Sequence, residues 1–195
     1  MIIRKLFKFE GSHRVLDCTA DRCKKSFHGH SYVVEVFLSS DGPDNAGMVC
    51  DFHLLKNVKM FIDSFDHTHV ISSQESEDVK SFFKENNERW IEMSINPSAE
   101  NFAAMFYYFI EGILKATDFL NGENGIRLES VRVHETATGY AEAFCSDIYH
   151  WLPKAISLSF SSGVRKDWNA NLTHFIDEIG TVHPDKIYFI NPKIK

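Results

Sequence analysis

The chain has 195 residues, of which 44% are hydrophobic, and a formal net charge of −6 at pH 7. This length and apolar content suffice for one substantial core, which excludes extensive disorder and predicts a single domain with an elaboration. The acidic balance argues against nonspecific nucleic-acid binding, which requires neutralisation of phosphates, and favours a small-molecule partner.

Neither a membrane span nor a secretion signal is expected. No run of about 18 apolar residues is present, and the first eight residues alternate charged with apolar side chains instead of forming a signal-peptide core. We therefore expect a cytoplasmic protein, in which a loop thiol indicates metal binding or catalysis and not a disulfide framework. The four cysteines are Cys18, Cys23, Cys50 and Cys145.

Two segments of alternating residues predict an antiparallel pair of strands. They are Ile2 to Glu10 and His28 to Ser39, and the loop between them carries His13, Cys18 and Cys23. That loop therefore holds most of the chemistry at this end of the chain.

Two amphipathic helices are expected in the middle of the chain. The first follows Asp51, which suits an N-cap, and the second follows the start signal Asn96-Pro97-Ser98. We assign the aromatic stripe of the second helix to core packing. The apolar positions are Leu54, Leu55, Val58, Phe61 and Ile62 in the first helix, and Phe102, Met105, Phe106, Phe109, Ile110, Ile113 and Leu114 in the second.

Two more strands, Ile126 to Glu135 and Tyr140 to Phe144, are separated by a turn containing Gly139. The element order is then strand, strand, helix, helix, strand, strand (ββααββ). This order predicts an α+β fold with a four-stranded antiparallel sheet and two helices.

Two segments lie outside this pattern. Residues 72–93 form a charged insertion with a short helix expected over Asp78 to Arg89, and residues 146–195 form a C-terminal extension packed on the domain at 1–145. In the extension we expect an alternating run at Ile156 to Phe160, a helix carrying Trp168, Leu172, Phe175, Ile176 and Ile179, and a last strand at Ile187 to Ile190.

Three histidines at the start of the chain predict a metal site. His28 and His30 point to the same side of an extended strand, and His13 lies at the end of the preceding strand. Three imidazoles with one open position are typical of catalytic zinc. A closed structural site, with Cys18 or Cys23 as the fourth ligand, remains an alternative at this point.

Cys23 is the candidate reactive thiol, because basic neighbours favour the thiolate that a catalytic base or nucleophile requires. Those neighbours are Arg22, Lys24 and Lys25. Cys18 is the second candidate.

Two carboxylates add to the chemistry. Asp66 directly precedes His67, which it could orient for proton transfer, although a solvated loop pair is the alternative. Glu135 ends the strand face of Val131 and Val133, where a carboxylate is costly to bury unless it meets a donor pair such as the N–H groups of a heterocycle. A solvent-exposed strand end is the alternative for Glu135.

With these residues in order, the chain resembles the 6-pyruvoyltetrahydropterin synthase family, and in particular its bacterial 6-carboxytetrahydropterin branch. The resemblance covers about residues 2–144. Its motifs are Ser12-His13, His28-Gly29-His30-Ser31-Tyr32, Gly47-Met48-Val49-Cys50-Asp51-Phe52, Phe65-Asp66-His67, Asn96-Pro97-Ser98-Ala99-Glu100-Asn101 and Val133-His134-Glu135-Thr136.

The resemblance implies the family's tunnelling fold, in which subunits join their sheets into a barrel, and a homo-oligomer that is a trimer or a dimer of trimers. It implies that 7,8-dihydroneopterin triphosphate is converted to 6-carboxytetrahydropterin, acetaldehyde and triphosphate on the route to queuosine. The alternatives are a 6-pyruvoyl product made without carbon–carbon cleavage and a non-catalytic zinc-binding assembly protein.

The resemblance also implies roles for individual residues. Zn²⁺ would be held by His13, His28 and His30, while Cys23 would be the general base. His67, held by Asp66, would be the second acid/base group. The pterin would contact Glu135, Ser98 and Thr136. The chain departs from the family pattern in the spacing of four residues between Cys23 and His28, and in Ala99, where relatives often have a hydroxyl residue.

Overall fold

A seven-stranded sheet forms the centre of the computed structural model, which describes residues 1–152, 156–179 and 186–190. In chain order the strands are β1 (Ile2–His13), β2 (His28–Ser39), β3 (Thr68–Ser72), β4 (Trp90–Met93), β5 (Thr117–Asp118), β6 (Arg127–Thr136), β7 (Gly139–Phe144), β8 (Leu158–Phe160) and β9 (Phe189–Ile190). The sheet has the order β7-β6-β2-β1-β3-β4-β8, and β5 pairs with β9 separately.

The helices that accompany the strands lie in the loops and on the sheet. They are α1 (Asp21–Lys25), α2 (Lys56–Asp63), α3 (Glu77–Asn86), α4 (Ala99–Lys115), α5 (Cys145–Trp151), α6 (Ser162–Arg165) and α7 (Ala170–Glu178), with a 3₁₀ turn at Phe52–Leu55 before α2. None of the helices in the described ranges is long and apolar enough to cross a membrane.

The predicted hairpin of β1 and β2 is confirmed. The two strands pair without interruption from Ile2 opposite Ser39 to His13 opposite His28, so β1 continues past the expected end at Glu10. Alternate side chains of both strands enter the core because side chains in a strand alternate between the two faces. The buried side chains on the core face of this hairpin are Phe7, Phe9, His13, Tyr32, Val34, Val36 and Leu38, and Glu35 and Ser39 are buried on the other face.

The expected four-stranded sheet is too small. The four predicted strands form the antiparallel part of the observed sheet, β7-β6-β2-β1. Strands β3 and β4 extend this part with parallel pairing, and β8 adds an antiparallel edge strand. All five residues of β3 are buried, so this strand has no alternation of apolar and polar positions by which periodicity could have identified it.

Both predicted central helices form and pack on the sheet. Asp51 caps the turn before α2 by accepting a hydrogen bond from the amide of His53, and Ser98 caps α4 by accepting one from the amide of Asn101. All seven apolar residues predicted for α4 are buried, as are Leu55, Val58, Phe61 and Ile62 around α2, while Leu54 is half-buried.

The insertion and the extension both add to this sheet. The helix expected over Asp78 to Arg89 is α3, which ends at Asn86 because the chain then turns into β4. The predicted run at Ile156 to Phe160 contains β8, and Trp168 lies before α7, where its indole N–H donates to Ser64 Oγ at 2.8 Å. Residues 153–155, 180–185 and 191–195 of the predicted extension lie outside the described residues.

Candidate metal centre and active site

The three predicted metal ligands come together at one end of the β1–β2 hairpin. His13 lies opposite His28, and His30 lies opposite Gly11. On each strand the histidines share a face with the core residues, which are Phe9 on β1 and Tyr32 on β2. The three imidazoles therefore lie at one end of the core-facing side of the hairpin.

The cluster has the dimensions of a metal site. The ring centroid of His13 lies 4.7 Å from that of His28 and 5.2 Å from that of His30. The centroids of His28 and His30 are 4.9 Å apart. One ligand atom from each residue lies within 4.8 Å of the others. Within the described residues this ligand cluster contains neither loop cysteine, so a closed site with a cysteine ligand gains no support.

Hydrogen bonds on the outer ring nitrogens prepare these side chains for metal binding. Nδ1 of His13 lies 2.6 Å from the carbonyl of Pro97, and Nδ1 of His28 lies 3.1 Å from the carbonyl of Ser26. A carbonyl can only accept, so each Nδ1 is protonated and each Nε2 keeps its lone pair. Nε2 of His30 is buried without a hydrogen-bond partner. A divalent metal that prefers imidazole nitrogen, such as zinc, fits this donor set.

The electrostatics favour neutral imidazoles. Burial lowers the pKa of His13 to about 4, and burial also lowers the pKa of His30 from its ordinary value. Both rings are therefore neutral at neutral pH, which is the state that a metal ligand requires.

Glu135 reaches the same place from β6. Its Oε1 lies 3.4 Å from Nε2 of His13 and 4.0 Å from Nε2 of His30. An adjoining cavity of about 590 Å³ is lined by His30, Glu135 and Thr136 among others. Sequence reasoning identified Glu135 but not its proximity to the histidines, which depends on the pairing of β6 with β2.

Tyr32 is a site residue to which the sequence analysis gave no role. Its hydroxyl lies 3.3 Å from both ring nitrogens of His13, and burial raises its pKa well above the usual range. The hydroxyl is therefore a proton donor that stays neutral beside the cluster. Its position two residues after His30, on the same face of β2, is the signal that could have identified it.

Asp66 and His67 form a pair that the backbone of β1 holds in place. Oδ2 of Asp66 lies 2.9 Å from Nδ1 of His67, and its Oδ1 accepts a hydrogen bond from the amide of Glu10 at 2.8 Å. The amide of His67 donates to the carbonyl of Glu10 at 2.7 Å, and His67 has a φ of +56°. A left-handed conformation is costly for a residue with a side chain, and such residues cluster at functional sites.

The imidazole of His67 remains accessible to a ligand. Its side chain is 75% exposed, and it lines a cavity of about 430 Å³ together with His30. The structure thus brings His67 to a cavity that it shares with His30 of the cluster.

Cys23 lies in α1, within the loop between the metal ligands, and its side chain is half-buried. Its carbonyl accepts a hydrogen bond from the amide of Val15 at 3.2 Å. The thiol of Cys18 is directed to the carbonyl of Ala20 at 3.3 Å. All four cysteines are free thiols.

Ser98 caps α4 through its Oγ, which accepts from the amide of Asn101 at 3.3 Å. It directly follows Pro97, whose carbonyl holds His13. Its predicted contact with substrate stays a prediction, as do the roles of the other site residues.

Residues 2–145 match the family model for 6-pyruvoyl tetrahydropterin synthase. The chain belongs to this family. The resemblance on which the sequence analysis relied is thereby confirmed.

Curated relatives carry the name of the bacterial branch. A 6-carboxy-5,6,7,8-tetrahydropterin synthase of Helicobacter pylori (strain J99) is 41% identical over 174 residues, covering 87% of each chain. One of Aquifex aeolicus is 32% identical over 160 residues, covering 72% of this chain and 95% of its own. The Helicobacter match covers a larger share than residues 2–145 make up, so it includes part of the extension.

Solved structures share the fold. A protein of Wolinella succinogenes, described as uncharacterized, superposes with a TM-score of 0.58 at 21% identity and covers 74% of this chain and 98% of its own. The 6-pyruvoyl tetrahydropterin synthase of Caenorhabditis elegans gives a TM-score of 0.51 at 21% identity and covers 74% and 94%.

Proposed function

We propose that the chain is a zinc-dependent 6-carboxy-5,6,7,8-tetrahydropterin synthase. It converts 7,8-dihydroneopterin triphosphate and one water to 6-carboxytetrahydropterin, acetaldehyde and triphosphate, as a carbon–carbon lyase in the biosynthesis of queuosine and related 7-deazapurines. The observation that carries this proposal is the 41% identity over 87% of the chain to a relative of that name. Product analysis with this substrate tests it.

His13, His28 and His30 would hold the zinc, which when bound supplies Lewis-acid polarisation of a substrate side-chain oxygen. The protein's own contribution is to keep these imidazoles neutral and oriented. For His13, burial keeps the ring neutral and the carbonyl of Pro97 orients it.

Cys23 is proposed as the general base that removes a proton from the substrate side chain, with Cys18 as the alternative. Its place in α1, within the loop that joins the proposed metal ligands His13 and His28, supports this role. His67 is proposed as the second acid/base group. Its contact with the Asp66 carboxylate supports this role, because that carboxylate orients the ring.

Glu135 is proposed to anchor the pterin through the paired N–H groups of its aminopyrimidine edge. A carboxylate binds such a planar donor pair with two charge-assisted hydrogen bonds. Thr136, which lines the same cavity, and Ser98 are proposed as further substrate contacts.

The second candidate is a 6-pyruvoyl product formed by triphosphate elimination without carbon–carbon cleavage. The description of the matching family model favours it. The same incubation separates the two, because only the carboxy product is accompanied by acetaldehyde. Absence of turnover would leave a non-catalytic zinc-binding protein.

A cytoplasmic homo-oligomer, a trimer or a dimer of trimers, is proposed as the assembled form. Strand β7 is an edge of the sheet, and β3 pairs with β1 only from Gly11 to His13. The rest of that side of β1 has no strand partner within the described residues, and unpaired strand edges favour pairing with another chain. Sedimentation analysis of the zinc-loaded protein measures the subunit number.

A further inference from the structure

Residues 73–93, the part of the predicted insertion at 72–93 that follows β3, contact both ends of the loop that carries Cys23. This cysteine loop, residues 14–27, joins His13 to His28 across the hairpin. Its first residue is Arg14 and its last is Phe27. A contact at either end therefore lies next to a proposed metal ligand.

At the first end, Glu75 of the insertion binds Arg14. Nε of Arg14 donates to one carboxylate oxygen at 2.8 Å, and Nη2 donates to the other oxygen. The side chain of Glu75 is 4% exposed and that of Arg14 is 19% exposed. A bidentate ion pair that is largely buried from solvent fixes the orientation of both groups. Removing one partner leaves an uncompensated buried charge.

At the other end, Phe83 on α3 holds Phe27. The two rings meet nearly edge to face, with centroids 4.6 Å apart. The guanidinium of Arg14 lies 4.4 Å from the centroid of the Phe27 ring, so the two ends of the loop also contact each other. Phe83 also stacks on His69, with centroids 3.7 Å apart, and His69 in turn lies 5.2 Å from the Phe27 ring.

These contacts are connected to Cys23 through the backbone. The amide of Val15, next to Arg14, donates to the carbonyl of Cys23 at 3.2 Å. The insertion itself is joined to the central sheet by the pairing of β4 with β3, and within it Lys84 on α3 binds Glu92 on β4 at 2.6 Å.

We propose that residues 73–93 form a brace that positions the cysteine loop, with Glu75 and Phe83 as the positioning residues that place the Cys23 thiol relative to the histidine cluster. The effect on catalysis rests on the proposed function. The placement of the thiol does not.

The first test measures alkylation of Cys23 by iodoacetamide in the zinc-loaded full chain across a pH series, using peptide mass spectrometry with the exposed Cys145 as internal reference. The variants are Glu75→Gln and Phe83→Leu. The matched control is Glu77→Gln, because Glu77 is an exposed carboxylate of the same insertion.

We expect both brace variants to change the rate and the pH midpoint of Cys23 alkylation several-fold while the Cys145 rate and the zinc content stay constant. Glu77→Gln should match the wild type. Phe83→Tyr keeps the aromatic ring and should restore the wild-type rate. Where Glu75→Gln does not fold, as judged by circular dichroism, the Phe83 pair decides the outcome.

The second test measures turnover. The brace predicts that kcat falls about tenfold or more in Glu75→Gln and Phe83→Leu while KM stays within about twofold, because misplacement of a catalytic group slows the chemical step without weakening substrate binding. Wild-type alkylation of Cys23 in folded Phe83→Leu would overturn the proposal. If the wild type shows no turnover, the alkylation rates still test whether the brace positions Cys23. The brace and the proposed function can therefore be refuted independently.

Discussion

Oε1 of Glu135 lies 3.4 Å from Nε2 of His13, so β6 brings a carboxylate to the imidazole cluster that β1 and β2 form. The proposed anchor of the pterin therefore lies directly beside the proposed metal ligands. A substrate held by Glu135 would present its side chain to the histidines.

Loss of one imidazole should abolish metal binding. We expect His28→Ala to lose zinc and activity together, because two nitrogen ligands cannot complete the site. Metal analysis by mass spectrometry after dialysis measures the zinc content. His53→Ala, which removes an exposed histidine, is the control, and full occupancy in His28→Ala would refute the three-histidine site.

The two loop thiols should differ in their effect on turnover. Cys23→Ala is expected to lower kcat by about 10²-fold to 10⁴-fold, the usual contribution of a general base, with zinc retained. Cys18→Ala is the matched variant in the same loop and should be near wild type. The opposite pattern would show that Cys18, and not Cys23, is the general base.

Glu135→Gln should separate substrate binding from metal binding. Charge-assisted hydrogen bonds are worth about 1.5–3 kcal/mol, so we expect KM to rise by about tenfold to a hundredfold while the three histidines retain the zinc. Steady-state kinetics and metal analysis of the same preparation measure both. Loss of zinc with an unchanged KM would make Glu135 a metal ligand and not the pterin anchor.

Buried His69 should make the zinc-free protein sensitive to mild acid. Burial lowers its pKa from 6.5 to about 4, so between these values the unfolded chain binds a proton that the folded chain does not. The free energy of unfolding therefore falls as the pH drops through this window, by about 2 kcal/mol for one such group between pH 7.5 and pH 5.

Urea unfolding of the zinc-free wild type and of His69→Gln at these two pH values measures that difference. Both proteins share a contribution of the same sign from His13, whose pKa is also lowered to about 4, so the difference between them measures His69 together with its repulsion by His13. An equal loss of stability in the two proteins would contradict the assignment to His69.

Sequence patterns predicted the half of the fold that alternation and helical periodicity reveal. The pairing of His13 with His28 follows from two amphipathic strands and a connecting loop. Strands β3 and β4 did not follow, because β3 is buried on both faces and its partners are set by nonlocal parallel pairing.

The composition of the site was more accessible to sequence reasoning than its arrangement. The His28-Gly29-His30 spacing indicated the cluster, which the structure forms with His13. The proximity of Glu135 depends on the register of β6 against β2, and the contacts of Glu75 depend on the fold of an insertion that lies far away in sequence. Neither relationship is contained in a local pattern.

The most direct test of the account is to incubate the zinc-loaded protein with 7,8-dihydroneopterin triphosphate, identify the pterin products by mass spectrometry and assay acetaldehyde. We predict 6-carboxytetrahydropterin and acetaldehyde in equal amounts. A 6-pyruvoyl product without acetaldehyde, or no turnover by protein with full zinc occupancy, would contradict the proposed reaction.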